Sequence, residues 1–166
     1  MILQAEDGTG SLVLLPAEVV QTLNAFRQDS TEAGGILLGC YRTPHIEIMA
    51  CTKPLPKDVR SRAEFDRRDP GHQHAAMEHW KASGKTVTFV GEWHTHPEPF
   101  PSPSSTDQRT WDYAKKRVTP RDLVFVIRGQ MGWWFGKGRH ETDDVRLIPI
   151  PTVVFDDPAP LGEPTD

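Results

Sequence analysis

The sequence predicts a single mixed domain of the α/β or α+β class, in which helices pack against one central sheet. Two observations carry this. Strand-like and helix-like segments alternate along most of the chain, which favours a sheet layered with helices. The 166 residues are enough for one substantial core and short for two.

The elements follow in order. "SLVLLP" is a short apolar strand. "PAEVVQTLNAFRQ" places Val19, Val20, Leu23 and Phe26 at helical spacing, with Pro16 suited to the first turn. "DSTEAGG" interrupts that helix. "GGILLGCYR" and "HIEIMACT" are expected to form a hairpin turning at Thr43-Pro44. Residues 53–69 are dense in charge and bracketed by prolines, and predict an exposed loop rather than a packed element.

"PGHQHAAMEHWKASG" reads as a helix with Pro70 near its start and Gly84 near its end. His72, His74 and His79 are expected on its solvent face. "TVTFVGEWHTH" alternates and is rich in β-branched and aromatic residues, so it is a strand. "SSTDQRTWDYAKKR" is helical in pattern. "DLVFVIRG" and "MGWWFG" suggest a second hairpin, and "VRLIPI" a last strand. Residues 1–150 are therefore expected to make the domain. Residues 151–166 form a proline-rich acidic tail whose composition predicts disorder at its end.

Composition narrows the function. A net charge of −4 argues against a general nucleic-acid binder. No apolar run reaches the roughly 20 residues of a membrane span, and "MILQAEDGTG" lacks the basic start and apolar core of a leader, so the expected location is the cytoplasm. Cys40 and Cys51 lie in apolar strand segments and are expected as buried free thiols.

The chemistry gathers in "GEWHTHPEPFPSPSSTD", residues 91–107. Residues two apart on a strand project from one face, so His94 and His96 present two imidazoles side by side. By itself such a pair also suits an ordinary edge strand. Ser104 and Asp107 have the spacing of a helix capping box, which would set Asp107 in a first helical turn. Two histidines and one acid supply three ligands to a tetrahedral metal and leave a position for water. A base for that water has two candidates. Glu92 shares the strand face of the histidines and could equally support an imidazole N–H, while Glu32 lies at the mouth of "GGILLGCYR".

An upstream Glu32, then His94-Thr95-His96-Pro97, six residues, and Ser104-Ser105-Thr106-Asp107 resemble the JAMM metalloprotease motif in order and without a gap. "EAGGILLG" and "FDRRDP" extend the likeness over roughly residues 11–150, and it looks most like the bacterial Prok-JAB branch, including the deconjugating proteases of CBASS-type anti-phage operons. The resemblance implies a JAB/MPN fold with a curved, mostly antiparallel sheet and two to three helices. It also implies one zinc per chain, held by His94, His96 and Asp107. Glu32 would then be the general base and Ser104 a donor to the oxyanion. Glu92 matches no catalytic position.

The implied reaction is hydrolysis of an isopeptide or peptide bond after the tail of a ubiquitin-like or similarly conjugated protein. Implied partners are E1- and E2-like proteins and a nucleotidyltransferase target. Trimming of a sulfur-carrier precursor would keep the same site, and a non-catalytic JAB scaffold would not need it. Residues 53–69 depart from the asparagine-proline pairs of many relatives. Arg60, Arg62, Arg67 and Arg68 there are expected either to be solvated or to meet an acidic partner surface.

Overall fold

The computed structural model describes residues 1–27 and 29–151. Among these, eight strands close into a barrel in the order β1 (Ile2–Ala5), β10 (Val145–Ile150), β9 (Trp133–Gly138), β8 (Leu123–Arg128), β7 (Thr88–Thr95), β3 (Gly34–Arg42), β4 (His45–Cys51) and β2 (Leu12–Leu14). The pairs β2–β4 and β7–β8 are parallel and the others antiparallel. Three helices accompany them in the described residues: α1 (Ala17–Ala25), α2 (Gly71–Ala82) and α3 (Ser105–Val118). The expected hairpins β3–β4 and β8–β9 are both present.

Both faces of the sheet are covered where it matters for the site. Leu3, Leu37, Val90, Trp93, Val124, Val126 and Phe135 share one cluster with Val19 and Leu23 of α1. The alternate residues Leu123, Phe125 and Ile127 meet Trp111 of α3 on the other face. This explains why "LVFVI" carries no polar alternation: a strand buried on both sides reads as a continuous apolar run. Ile36, Leu38 and Cys40 of β3 form a third cluster, against which Ala76 of α2 packs.

Trp111 anchors α3. Its ring stacks on Phe125 at 4.4 Å and on Trp134 at 5.3 Å between centroids, and it is only 2% exposed. Residues four apart share a helix face, so the contact that buries Trp111 also turns Asp107 toward the barrel.

Three features depart from the sequence expectation. β1 was not expected, because "ILQA" is short and turn-flanked. It is held by register with β10 and β2, which only closure of the barrel supplies. Residues 53–69 are not a free loop. They include the small hairpin of β5 (Val59–Arg60) and β6 (Phe65–Asp66), and the Asp58 side chain is fully enclosed. His72 is likewise not solvent-facing: it is 3% exposed, with Nε2 2.9 Å from Asp58 Oδ2 and Nδ1 2.6 Å from Thr52 Oγ1. The two surprises share one cause, since the enclosed acid and imidazole satisfy each other. His74 and His79 are exposed, as expected.

Cys40 and Cys51 are free thiols, the first buried and the second partly so. Burial pushes the Cys51 thiol up to about 11. None of the helices among the described residues is long and apolar enough to cross a membrane. Residues 152–166, and with them nearly all of the acidic tail, lie outside the described residues.

Candidate metal centre

The register of β3 against β7 sets the first half of the site. Gly34 lies opposite His94 and Gly35 opposite Trp93. Continued past the start of β3, that pairing carries Glu32 to the level of His96. Thr95 reinforces it: its amide donates to the Ala33 carbonyl at 2.7 Å, and its Oγ1 accepts from the Ala33 amide at 2.9 Å. The residue between the two histidines thus faces away from them and ties down the neighbour of Glu32. Sequence reading did not single it out, although its alternation against His94 and His96 was there to be used.

The second half comes from α3 and the proline-rich connection before it. That connection is fastened to the β8–β9 turn by the Gln130 amide on Glu98 O (2.7 Å) and by the Met131 and Gly132 amides on Pro99 O (2.9 and 2.8 Å). The helix then opens with the expected capping box. Ser104 Oγ accepts from the Asp107 amide at 3.2 Å, and Asp107 Oδ2 accepts from the Ser104 amide at 2.6 Å.

These elements bring four of the five predicted side chains to one point. His94 Nε2 and His96 Nε2 are 3.0 Å apart. Asp107 Oδ1 is 3.2 Å from His94 Nε2, and Oδ2 is 3.4 Å from His96 Nε2. Glu32 Oε1 stands further off, 3.9 Å from His96 Nε2. The fifth, Ser104, is exposed and joins the group only through its bonds with Asp107. Glu92 is turned to another partner, Arg67, whose Nη2 lies 2.6 Å from its Oε1.

The spacing tests the donor set. Bonds of about 2.0–2.2 Å in tetrahedral arrangement put neighbouring ligand atoms roughly 3.3–3.5 Å apart. The histidine and aspartate atoms, at 3.0, 3.2 and 3.4 Å, lie within or slightly inside that spacing, so a small outward shift of the two imidazoles would admit the ion. Two enclosed imidazole nitrogens 3.0 Å apart either share a proton, in the tautomer that puts one on Nε2, or, with both protons on Nδ1, turn two lone pairs toward a common cation. Glu32, His94 and His96 also form a compact group of their own. The shorter distances nevertheless make Asp107 the nearer carboxylate, leaving Glu32 beside the centre.

Charge in the site follows from enclosure and pairing. Burial holds the Glu32 carboxyl above its ordinary value, although the neighbouring histidines work the other way. Burial also opposes charge on Asp107, but hydrogen bonds with His94, His96 and Ser104 outweigh it and hold that carboxyl well below the usual range. For His96, burial favours the neutral ring. Its hydrogen bond to Asp107 and the charges of Glu32, Asp107 and Glu98 prevail and raise its value.

Beside the four side chains runs a cleft of about 170 Å³. Its floor is Glu92 and Trp93 of β7, and its walls are Thr106 and Thr110 of α3 and the Ala63–Arg67 stretch. A second cleft, about 920 Å³, has Asp7, Tyr41, Trp80 and Asp122 in its lining; Glu32, His94, His96 and Asp107 do not line it. Volume does not decide between them, because Glu32, His94 and Asp107 line the smaller one.

A barrel and a capped helix that together bring two imidazoles and two carboxylates to one point define a domain whose donor set fits a single metal ion beside a buried acid. The chain belongs to the Prok-JAB family, prokaryotic homologs of the JAB domain, whose model matches residues 17–146. It is 37% identical over 128 residues to a CD-NTase/cGAS isopeptidase of Escherichia coli (strain TW11681), covering 75% of this chain and 81% of that protein. It is 34% identical over 139 residues to a CD-NTase/cGAS isopeptidase of Vibrio cholerae serotype O1, covering 82% and 88%. A probable metalloprotease of Sinorhizobium fredii, y4qB, is 30% identical over 132 residues, covering 74% and 79%. The solution structure of DSY2949 from Desulfitobacterium hafniense superposes with a TM-score of 0.55 over 80% of this chain and 88% of that one. At 18% identity, that likeness speaks for the fold alone.

Proposed function

We propose that this chain is a zinc-dependent isopeptidase that cleaves the bond after the C-terminal tail of a conjugated protein. In this reading it reverses a conjugation made by E1- and E2-like partners, with a nucleotidyltransferase as the modified protein, in the cytoplasm and in the service of antiviral defence. The single observation that carries the chemistry is the convergence of His94, His96 and Asp107 beside the buried Glu32. The choice of substrate is supported by the two relatives named as CD-NTase/cGAS isopeptidases.

His94 and His96 would hold the ion through Nε2, and Asp107 through its carboxylate. His96 Nδ1 then faces Glu98 Oε2 at 3.9 Å, which suits the ring tautomer with its proton on Nδ1. Bound zinc would polarise the scissile carbonyl and bring the pKa of water down to about 7.

The remaining steps belong to the protein. The substrate tail lies in the cleft between α3 and the Ala63–Arg67 stretch, whose small volume suits short side chains next to the scissile bond. Glu32 accepts a proton from the attacking water. Burial strengthens its hold on that proton, which it then passes to the leaving amine as the carbon–nitrogen bond breaks. Ser104 Oγ accepts from the Asp107 amide, so its own proton is free to be donated to the carbonyl oxygen as negative charge develops there. A donor in that role is worth about 2.7–4 kcal/mol.

The test is incubation with a fusion in which a ubiquitin-like protein is joined through its C-terminal tail to a target, with the products identified by mass. Cleavage at the tail, lost with chelator and restored by zinc, is the expected result. An intact fusion in the presence of zinc, at every tail tried, would overturn the reading.

A further inference from the structure

Glu32 precedes the first residue of β3, so the barrel ladder does not hold its peptide groups. They are held instead by two consecutive residues of the 53–69 segment. The Glu32 amide donates to Ser61 O at 2.7 Å, and Arg60 Nε donates to Glu32 O at 2.7 Å. The same guanidinium, through Nη2, reaches Asp29 Oδ2 at 2.7 Å and Thr31 O at 3.4 Å. Its carbon also stands 6.0 Å from the centroid of Phe26, whose ring meets Trp93 at 5.8 Å. One side chain therefore joins the β5–β6 hairpin to the end of α1 and to the entry of β3.

We propose that Arg60 is a positioning residue for Glu32. The inference rests on the base role proposed above for Glu32. The planar guanidinium satisfies a backbone carbonyl and a carboxylate at once, which an ammonium, a single point charge, does not reproduce. Fixing the carbonyl and amide of Glu32 fixes its Cα, and with it the arc over which the carboxylate can swing. Displacing a catalytic group by about 1 Å can cost on the order of 10²-fold in rate. The segment carrying Arg60 is itself secured through the enclosed Asp58–His72–Thr52 chain of hydrogen bonds. The charge-rich stretch that the sequence predicts as an exposed loop is thereby the mount of the proposed base.

Arg60→Ala and Arg60→Lys test this on the full chain, with Arg68→Ala as control. Arg68 is on the same segment and pairs with Asp66 at the surface. For Arg60→Ala the expected result is a kcat lower by about 10- to 100-fold with KM within about twofold of the parent. Bound zinc should stay at the parental level. In metal-free protein, hydrogen exchange of the peptide spanning residues 29–34 should be faster than in the parent. Arg60→Lys should be intermediate in both readouts, and Arg68→Ala should match the parent.

A kcat unchanged in both Arg60 variants overturns the proposal, as does a loss confined to KM, which would mark a substrate contact. If Arg60→Ala does not fold, Arg60→Lys decides by the same criteria. Failure of the underlying reading looks different: Glu32→Gln would then cleave as well as the parent.

Discussion

The Nε2 atoms of His94 and His96 lie 3.0 Å apart, enclosed, each within 3.4 Å of an Asp107 oxygen. Such an arrangement is stabilised by a cation, so zinc should bind the folded protein and raise its melting temperature. At 100 times the dissociation constant the gain is about 2.7 kcal/mol by mass action. Asp107→Ala and His94→Ala should each abolish the zinc-induced rise, as read by thermal melts with and without metal.

Glu32 stands outside the closest set of donor atoms. Glu32→Gln should therefore leave about one zinc per chain while lowering kcat by at least about 10²-fold, the range for loss of an acid–base group. Metal analysis beside kinetics on one preparation checks both halves. Loss of zinc together with activity would move Glu32 into the ligand set.

Ser104 has two jobs in the proposed scheme. Ser104→Ala removes a helix cap, at a stability cost of roughly 1 kcal/mol. It also removes a donor, for which the expected cost in kcat is about 10²- to 10³-fold. Denaturant melts and steady-state rates separate the two. An unchanged kcat alongside the stability loss would leave Ser104 with its structural role alone.

Trp111 holds α3 down by stacking on Phe125 and Trp134. Trp111→Ala should destabilise by about 3–5 kcal/mol, and Trp111→Phe by less. Because Asp107 rides on the same helix face, weaker zinc binding should accompany the loss. Isothermal titration of the two variants reads this directly.

Asp58 supplies a pH dependence. Burial works against its charge, but the Leu55 and Asp69 amides and His72 outweigh it and hold the carboxyl below its ordinary value. A depressed folded pKa contributes stability that is present above the unfolded value, about 3.9, and is lost as pH falls through the folded one. Asp58→Asn should thus be less stable than the parent at neutral pH, with the gap closing as pH drops below about 4. Thermal melts from pH 7 to pH 3 measure it; a constant gap would point to packing rather than charge.

The legible part of this protein lies in short-range pattern. Alternation marked β7, apolar spacing marked α1, and the Ser104–Asp107 spacing marked the cap of α3, since each depends on residues a few positions apart. The 53–69 segment was misread because its charges look solvated until their partners are known: Asp29 for Arg60, Glu92 for Arg67, and His72 for Asp58. Those partners are 31, 25 and 14 residues away.

The order of residues alone determined which side chains are available: a histidine pair on one strand face, an acid in a first helical turn, and a carboxylate before β3. The tertiary structure decided which of them meet. Closure of the barrel set β3 against β7 in the register that places Glu32 near His96. Burial of Trp111 then turned Asp107 inward, and Arg60 clasped the peptide of Glu32 from a segment with no helical or strand periodicity to announce it. The physical reason is the same in each case. Periodicity reports which face of an element is apolar, whereas a hydrogen bond between distant segments exists only once both have been packed.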